Sequence, residues 1–226
     1  MRAMILAAGR GERMRPLTDV LPKSLLMAGG KPLIVWHVEK FAAAGFEQIV
    51  INHAYRGALI EKALGDGERF GVKLVYSREA EALETAGGIA TALPLLGDVP
   101  FAVVNADVFS DYDYAHLAAA AAGLERQKLL AHLVLVANPA HHVDGDFGLR
   151  GDHVVLDGAR LTFSGMAAYH PAMFNTVPHG AKAKLAPLLR EQIGARRVSG
   201  EQYGGLWRDI GTPERLAELD RKLGLR

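Results

Sequence analysis

The chain contains no cysteine, which excludes disulfides, thiolate metal sites and a cysteine nucleophile together. That lack is compatible with a reducing compartment, and the cytoplasm is the expected location. Charge of one sign is also missing. The 26 Lys and Arg against 25 Asp and Glu leave a net charge of +1, so nothing points to electrostatic binding of nucleic acid, and any basic character must be local. No apolar run approaches the ~18 residues of a membrane span. MILAA after Arg2 is too short for the apolar core of a signal peptide, and charged GRGERMR follows at once. No Ser- or Pro-rich linker divides the sequence. With 226 residues, half of them hydrophobic, the chain can bury one sizeable core, and a single domain over 1–226 is expected.

In the first half, apolar runs at 4–8, 49–52, 72–76 and 101–105 read as buried strands. They alternate with helical stretches near 32–44, 58–64, 87–93 and 114–123. This rhythm implies parallel strands covered by helices. Pro32 suits the first position of its helix and Gly45 the position past its end. The Ala-rich run at 118–122 needs only helix propensity to explain it. The second half departs from the rhythm. A strand over 129–137 is followed by a possible hairpin of 147–149 with 153–156, then extended runs at 161–163 and 166–169. A helix near 182–192, a short strand near 196–198 and a helix at 213–223, with Thr212 as N-cap and Pro213 first, complete the chain. The expected architecture is an open, mixed, mostly parallel α/β sheet with helices on both faces, its added strands carrying a second ligand.

The most informative stretch is LAAGRGERMRPLTDVLPK, residues 6–23. A strand runs straight into a loop holding Gly9 and Gly11, then Arg13, Arg15 and Lys23. Glycines let backbone N–H groups approach a phosphate chain, and the cations supply charge that amides lack. A dinucleotide fingerprint fails, because its third glycine is Met14, Pro16 interrupts any helix, and the strand that should end in a ribose-binding acid ends at Asn52. No P-loop string occurs either. The position suits a ligand at the carboxyl ends of strands in an open sheet.

The pattern LAAG-x-G-x-R-M-x-P-L-T, followed by PKSLL (22–26) and KPLI (31–34), resembles the sugar-1-phosphate nucleotidylyltransferases. LETAGGI (83–89), NADVF (105–109), GDFGL (145–149), LTFSGMAAYHP (161–171) and WRDIGTPERL (207–216) continue the likeness over essentially the whole chain. HHVDGDFGL and TFSGMAAYHP carry a closer likeness to the N-acetylmuramate α-1-phosphate uridylyltransferases of cell-wall recycling. The resemblance implies a Rossmann-like nucleotide-diphospho-sugar transferase fold, with residues 1–125 holding the nucleotide and 126–226 the sugar. It implies transfer of a nucleotidyl group from an NTP, UTP on the closer likeness, to a sugar 1-phosphate, N-acetylmuramic acid 1-phosphate on the same likeness, with pyrophosphate leaving. The sequence ends at Arg226 without a hexapeptide-repeat extension, so no left-handed β-helix, acetyl transfer or trimerisation through such a domain is expected. A monomer or small homo-oligomer is expected, with no nucleic acid or membrane partner.

The same resemblance assigns residues. Asp107 and Asp209 would hold Mg2+, an ion that favours a few carboxylates plus substrate phosphates over a complete protein cage. Arg13 would grip the β- and γ-phosphates, and Lys23 the reacting phosphates. The nucleotide would lie along Leu6, Ala7, Ala8, Gly9 and Gly11, with Glu79, Thr85 and Gly87 on the base side, where many members have glycine and this chain has Glu84. The sugar would meet Asn105, Asp146, Gly148 and Ser164. Muramate carries a lactyl carboxylate, and Arg150, Lys182 and Arg197 are candidate cations for it. His141 and His142, adjacent on a segment taken as extended, would point to opposite faces, so at most one could face the site and surface roles are expected.

Alternatives within the class are mannose- or heptose-1-phosphate guanylyl transfer, and uridylyl or thymidylyl transfer to glucose 1-phosphate. Cytidylyl transfer to phosphocholine is a further relative. A non-catalytic nucleotide-sugar sensor is the rival outside it, and the joint presence of Arg13, Lys23, Asp107 and Asp209 argues for catalysis.

Overall fold

The computed structural model describes residues 1–224. In chain order the elements are β1 (Arg2–Leu6), β2 (Met27–Ala28), β3 (Lys31–Pro32), α1 (Leu33–Ala43), β4 (Gln48–His53), α2 (Gly57–Leu64), β5 (Lys73–Arg78), α3 (Glu84–Leu96), β6 (Phe101–Asn105), β7 (Val108–Ser110) and α4 (Tyr114–Leu124). They continue with β8 (Ala131–Val136), β9 (Phe147–Arg150), β10 (His153–Val155), β11 (Arg160–Tyr169), α5 (Leu185–Gly194), β12 (Val198–Tyr203), β13 (Trp207–Asp209) and α6 (Pro213–Gly224).

Nine strands form one sheet in the order β5-β4-β1-β6-β11-β8-β12-β10-β9. β1 pairs parallel to both β4 and β6, and β4 to β5. β11 runs antiparallel to β6 and to β8, while β12 is parallel to β8. The sheet is therefore mixed, and β1, β4, β6 and β12 share one direction. Alternation sorts the core onto two faces. Ala3 and Ile5 of β1 pack with Val38, Ile60 and Leu117 of α1, α2 and α4, whereas Met4 packs with Ile89 and Leu189 of α3 and α5. Helices cover both faces, as the βα rhythm requires.

Several boundaries differ from the sequence reading for local reasons. Pro32 ends β3 with ψ 144°, so the helix starts at Leu33, whose N–H bonds Leu26 O; Gly45, at φ +79°, does close it. The runs at 161–163 and 166–169 belong to one strand, β11, with a register shift between Phe163 and Ala167 where Ser164 and Gly165 bulge. The strand near 196–198 extends from Val198 to Tyr203, because β8 offers it six successive partners.

Four short strands, β2, β3, β7 and β13, have no counterpart in that reading, and the last two bear on the site. β7 and β13 pair antiparallel, with Asp209 opposite Val108. Phe109 and Ile210 from this ribbon join Met14, Leu26, Leu33, Leu216 and Leu219 in a third cluster. Met14, the residue that breaks the dinucleotide pattern, is a fully buried anchor for the loop that follows β1.

Candidate active site

A cleft of about 540 Å³ opens at the carboxyl ends of β1, β4 and β6. Residues 6–9, Gly11 and Arg13 line one side, with Lys23, Thr85, Asn105 and Asp107 around them. Gly11 has φ +68°, and a side chain there would press on Thr18 and Lys23, so glycine permits both the turn and the close packing of the loop. Thr18 Oγ1 donates to Gly11 O at 2.8 Å, folding the loop back on itself.

The loop's arginines differ in their surroundings. Arg15 pairs with Asp19 at 3.1 Å, and Arg10 with Glu12 at 4.0 Å while lying over the Tyr55 ring. Arg13 makes no ion pair among the described residues and faces the cleft. Lys23 is only 8% exposed, and its Nζ donates to Asp107 Oδ2 at 2.8 Å. The ammonium is thereby fixed at the end of β6 rather than left on a solvated stem.

Asp107 follows β6 and Asp209 ends β13, and the β7–β13 ladder lays their backbones side by side, with Ile210 N donating to Asp107 O at 2.9 Å. Residues 102 positions apart thus reach one place through a three-residue strand. Asp209 Oδ2 accepts from Arg215 Nη1 at 2.6 Å and lies 3.2 Å from His141 Nε2. Among the described residues no three His, Cys, Asp or Glu form a cluster able to enclose a metal ion. Two carboxylates suit a divalent cation that completes its shell with phosphate oxygens and water.

His37 of α1 holds this ribbon from behind. It is fully buried, with Nε2 2.8 Å from Val108 O and Nδ1 2.6 Å from Tyr114 OH. Burial lowers its pKa from the usual 6.5 to about 4, which fixes the neutral form, donating to Val108 O and accepting from Tyr114. Between these two values the unfolded chain binds a proton that the native chain refuses. Its contribution is therefore complete above pH 6.5 and falls by about 3 kcal/mol as pH drops to 4. Denaturant unfolding at pH 7, 5.5 and 4.5 should show that slope, and His37→Gln should lose it; an equal slope in the variant would refute it.

Several expected contacts do not line the cleft. Glu79 is buried, accepting from Asn52 Nδ2 at 2.6 Å and from Leu83 N at 3.0 Å. Both its oxygens serve the wall, and Asn52 in turn accepts from Ala7 N at 2.9 Å. Gly87 is required by packing, since a Cβ there would meet Ala181 O at 2.2 Å. Gly148 likewise abuts Asp157 O, and Ser164 is buried with Oγ accepting from Met166 N. Glu84 does line the cleft and adopts φ +62°, the left-handed conformation that glycine takes without strain.

The histidines lie at the surface, as expected, but not on an extended segment. Residues 140–144 form turns rather than an extended strand, so the two side chains need not oppose each other. His141 meets Asp209, and His142 Nε2 lies 3.1 Å from Asp146 Oδ1, whose Oδ2 accepts from Phe163 N at 2.8 Å. Of the candidate sugar-side cations, Lys182 lines the cleft. Arg150 pairs with Asp157 at 3.2 Å. Arg197 precedes β12 at the opposite end of the sheet.

A family model described as nucleotidyl transferase matches residues 2–149. The chain belongs to that family. This nucleotidyltransferase is 54% identical to the N-acetylmuramate alpha-1-phosphate uridylyltransferase of Neisseria meningitidis serogroup B, over 99% of both chains. It is 34% identical to the protein of the same name from Caulobacter vibrioides, over 98% of this chain and 96% of the other. A crystal structure of a Bacillus anthracis protein assigned as a glucose-1-phosphate thymidylyltransferase covers 99% of this chain and 96% of its own, with TM-score 0.87 at 19% identity. That likeness speaks for the shared fold. No described helix is long and apolar enough to cross a membrane.

Proposed function

We propose that this nucleotidyltransferase takes UTP and N-acetylmuramic acid 1-phosphate, giving UDP-N-acetylmuramic acid and pyrophosphate. One observation carries the chemistry: the β7–β13 ribbon lays the backbone of Asp209 beside that of Asp107, whose carboxylate holds Lys23 in a cleft lined by a Gly- and Arg-rich loop. The substrate choice is supported by the full-length likeness to two proteins named for that reaction. Residues of about 1–125 receive the nucleotide, and those of about 126–226 the sugar.

A phosphate oxygen of the sugar attacks the α-phosphorus in line, and pyrophosphate departs with the electron pair of the broken bond. Two anions must meet, so positioning and compensating charge supply most of the catalysis. Asp107 and Asp209 would hold Mg2+, which when bound would neutralise phosphate charge. Arg13 grips the β- and γ-phosphates, Lys23 faces the reacting ones, and Asn105 and Asp146 orient the sugar. Glu79 and Ser164 act through the walls they brace.

Among the three candidate cations Lys182 is the one that lines the cleft, which supports it as the partner of the lactyl carboxylate that distinguishes muramate from N-acetylglucosamine. A charged hydrogen bond is worth about 1.5–3 kcal/mol, roughly a ten- to hundredfold preference. A matrix of four NTPs against muramate, N-acetylglucosamine, glucose and mannose 1-phosphates, read as pyrophosphate release, should give UTP with the muramate the highest kcat/KM by that margin. Equal or better values for mannose or N-acetylglucosamine 1-phosphate would refute the substrate assignment and leave nucleotidyl transfer standing.

A further inference from the structure

Nothing in the sequence singles out Arg215, yet it is one of three charged side chains that converge on Gly211 at the edge of the cleft. A methyl group built on Gly211 would stand 2.9 Å from Arg215 Nη1, 3.1 Å from Asp209 Oδ2 and 3.3 Å from Arg13 Nη1. Gly211 and Arg13 line the cleft, and Arg215 Nη1 lies directly behind Gly211 at its edge. Arg215 is three-quarters buried and tied to Asp209 at 2.6 Å through Nη1. A guanidinium carries five N–H donors in a rigid fork, so a single hydrogen bond to Asp209 fixes its place and leaves most of its donors available to another anion.

We propose that Arg215 is a ligand for the pyrophosphate half of the triphosphate, held in position by Asp209 and acting with Arg13 across Gly211. The inference rests on the proposed roles of Asp209 as a cation ligand and Arg13 as a triphosphate ligand. As the sugar-phosphate oxygen bonds to the α-phosphorus, the bond to the bridging oxygen breaks and its electron pair passes to pyrophosphate, with no proton required. Negative charge therefore grows on the leaving group, where a preorganised guanidinium gains strength as the reaction proceeds.

The same geometry explains the glycine. Gly211 does not have a left-handed backbone, and its near neighbours are the far ends of flexible side chains, so alanine costs the fold little. It would, however, displace both arginines from the point they share. Asp209 would then have two tasks: Oδ2 fixes Arg215 and lies 3.2 Å from His141 Nε2, which leaves Oδ1 as the oxygen that would meet a cation.

The test uses the full chain with inorganic pyrophosphate and Mg2+ in titration calorimetry, with Mn2+ affinity measured separately by electron paramagnetic resonance. Arg215→Gln should weaken pyrophosphate binding by about ten- to hundredfold, while Mn2+ binds as tightly as before or more tightly, because a competing cation has gone. Arg215→Lys should recover part of the loss, keeping charge without the fork. Gly211→Ala should weaken pyrophosphate binding with an unchanged melting temperature. Unaltered pyrophosphate affinity in Arg215→Gln would overturn the assignment. So would a loss that merely follows a loss of Mn2+ affinity, which would reduce Arg215 to a support for Asp209. If Asp209→Asn retains full Mn2+ affinity, the cation reading of Asp209 fails, a result distinct from either outcome at Arg215.

Discussion

Asp107→Asn and Asp209→Asn should each lower turnover by about three orders of magnitude, since a cation placed against developing phosphate charge is worth several kcal/mol. Asparagine keeps the size of either side chain and removes its charge. At position 107 its Oδ1 can still accept from Lys23, and at 209 it can still accept from Arg215, so neither change opens a cavity or strands a buried donor. Melting temperatures should stay within a few degrees of the parent. The loss should deepen as magnesium becomes limiting, because each variant leaves a single carboxylate on the ion. Steady-state pyrophosphate release across a magnesium titration checks this. Near-normal turnover of both variants at limiting magnesium would remove the two aspartates from the metal site.

The nucleotide end of this site is legible in the sequence because it is local. Strand, glycine loop, Arg13 and Lys23 occur within 23 residues, and the chemistry of phosphate binding selects those residue types directly. Asn105 and Asp107 are legible for a related reason, as they close a buried apolar run whose carboxyl end must lie with that of β1. The rest depends on contacts that residue order does not encode. Gly87, Gly148 and Ser164 sit inside informative motifs, yet backbone crowding and burial explain them, and a motif does not distinguish a residue that touches ligand from one that shapes the wall. Glu79 illustrates the difference: its carboxylate links Asn52 to the start of α3, so it acts through the wall.

The β7–β13 ribbon is three residues long on each side, too short for alternation to reveal. It nonetheless lays the backbone of Asp209 beside that of Asp107, and the Asp209 carboxylate meets both His141 and Arg215. Taking His141 and His142 as an extended pair is what hides their separate carboxylate partners, Asp209 and Asp146. A signal was available in Asn138 and Pro139, residues that favour turns: Asn138 Nδ2 donates to Val143 O at 3.0 Å and to Arg160 O at 3.0 Å, closing the turn and fastening it to β11.

Lys23→Met should lower kcat by about 10²- to 10³-fold while raising the KM for UTP only severalfold, the pattern of an interaction made chiefly in the transition state. Lys23 Nζ is held by Asp107 Oδ2 at 2.8 Å, with its stem packed against Gly11, so the charge is placed before substrate arrives and need not be reorganised during the reaction. Methionine fills the same packing volume without the ammonium, which separates the charge from the structural role of a side chain only 8% exposed. Arg13 provides the contrast. It lies earlier in the loop, beside Gly211, where on the proposed reading its charge would meet the triphosphate in the ground state as well, so Arg13→Met should act more on KM. Single-turnover rates at saturating UTP, beside equilibrium UTP binding, resolve the two. A pure rise in KM with kcat unchanged in Lys23→Met would make Lys23 a ground-state anchor, and the stabilisation of the reacting phosphates would then have to come from the arginines around Gly211.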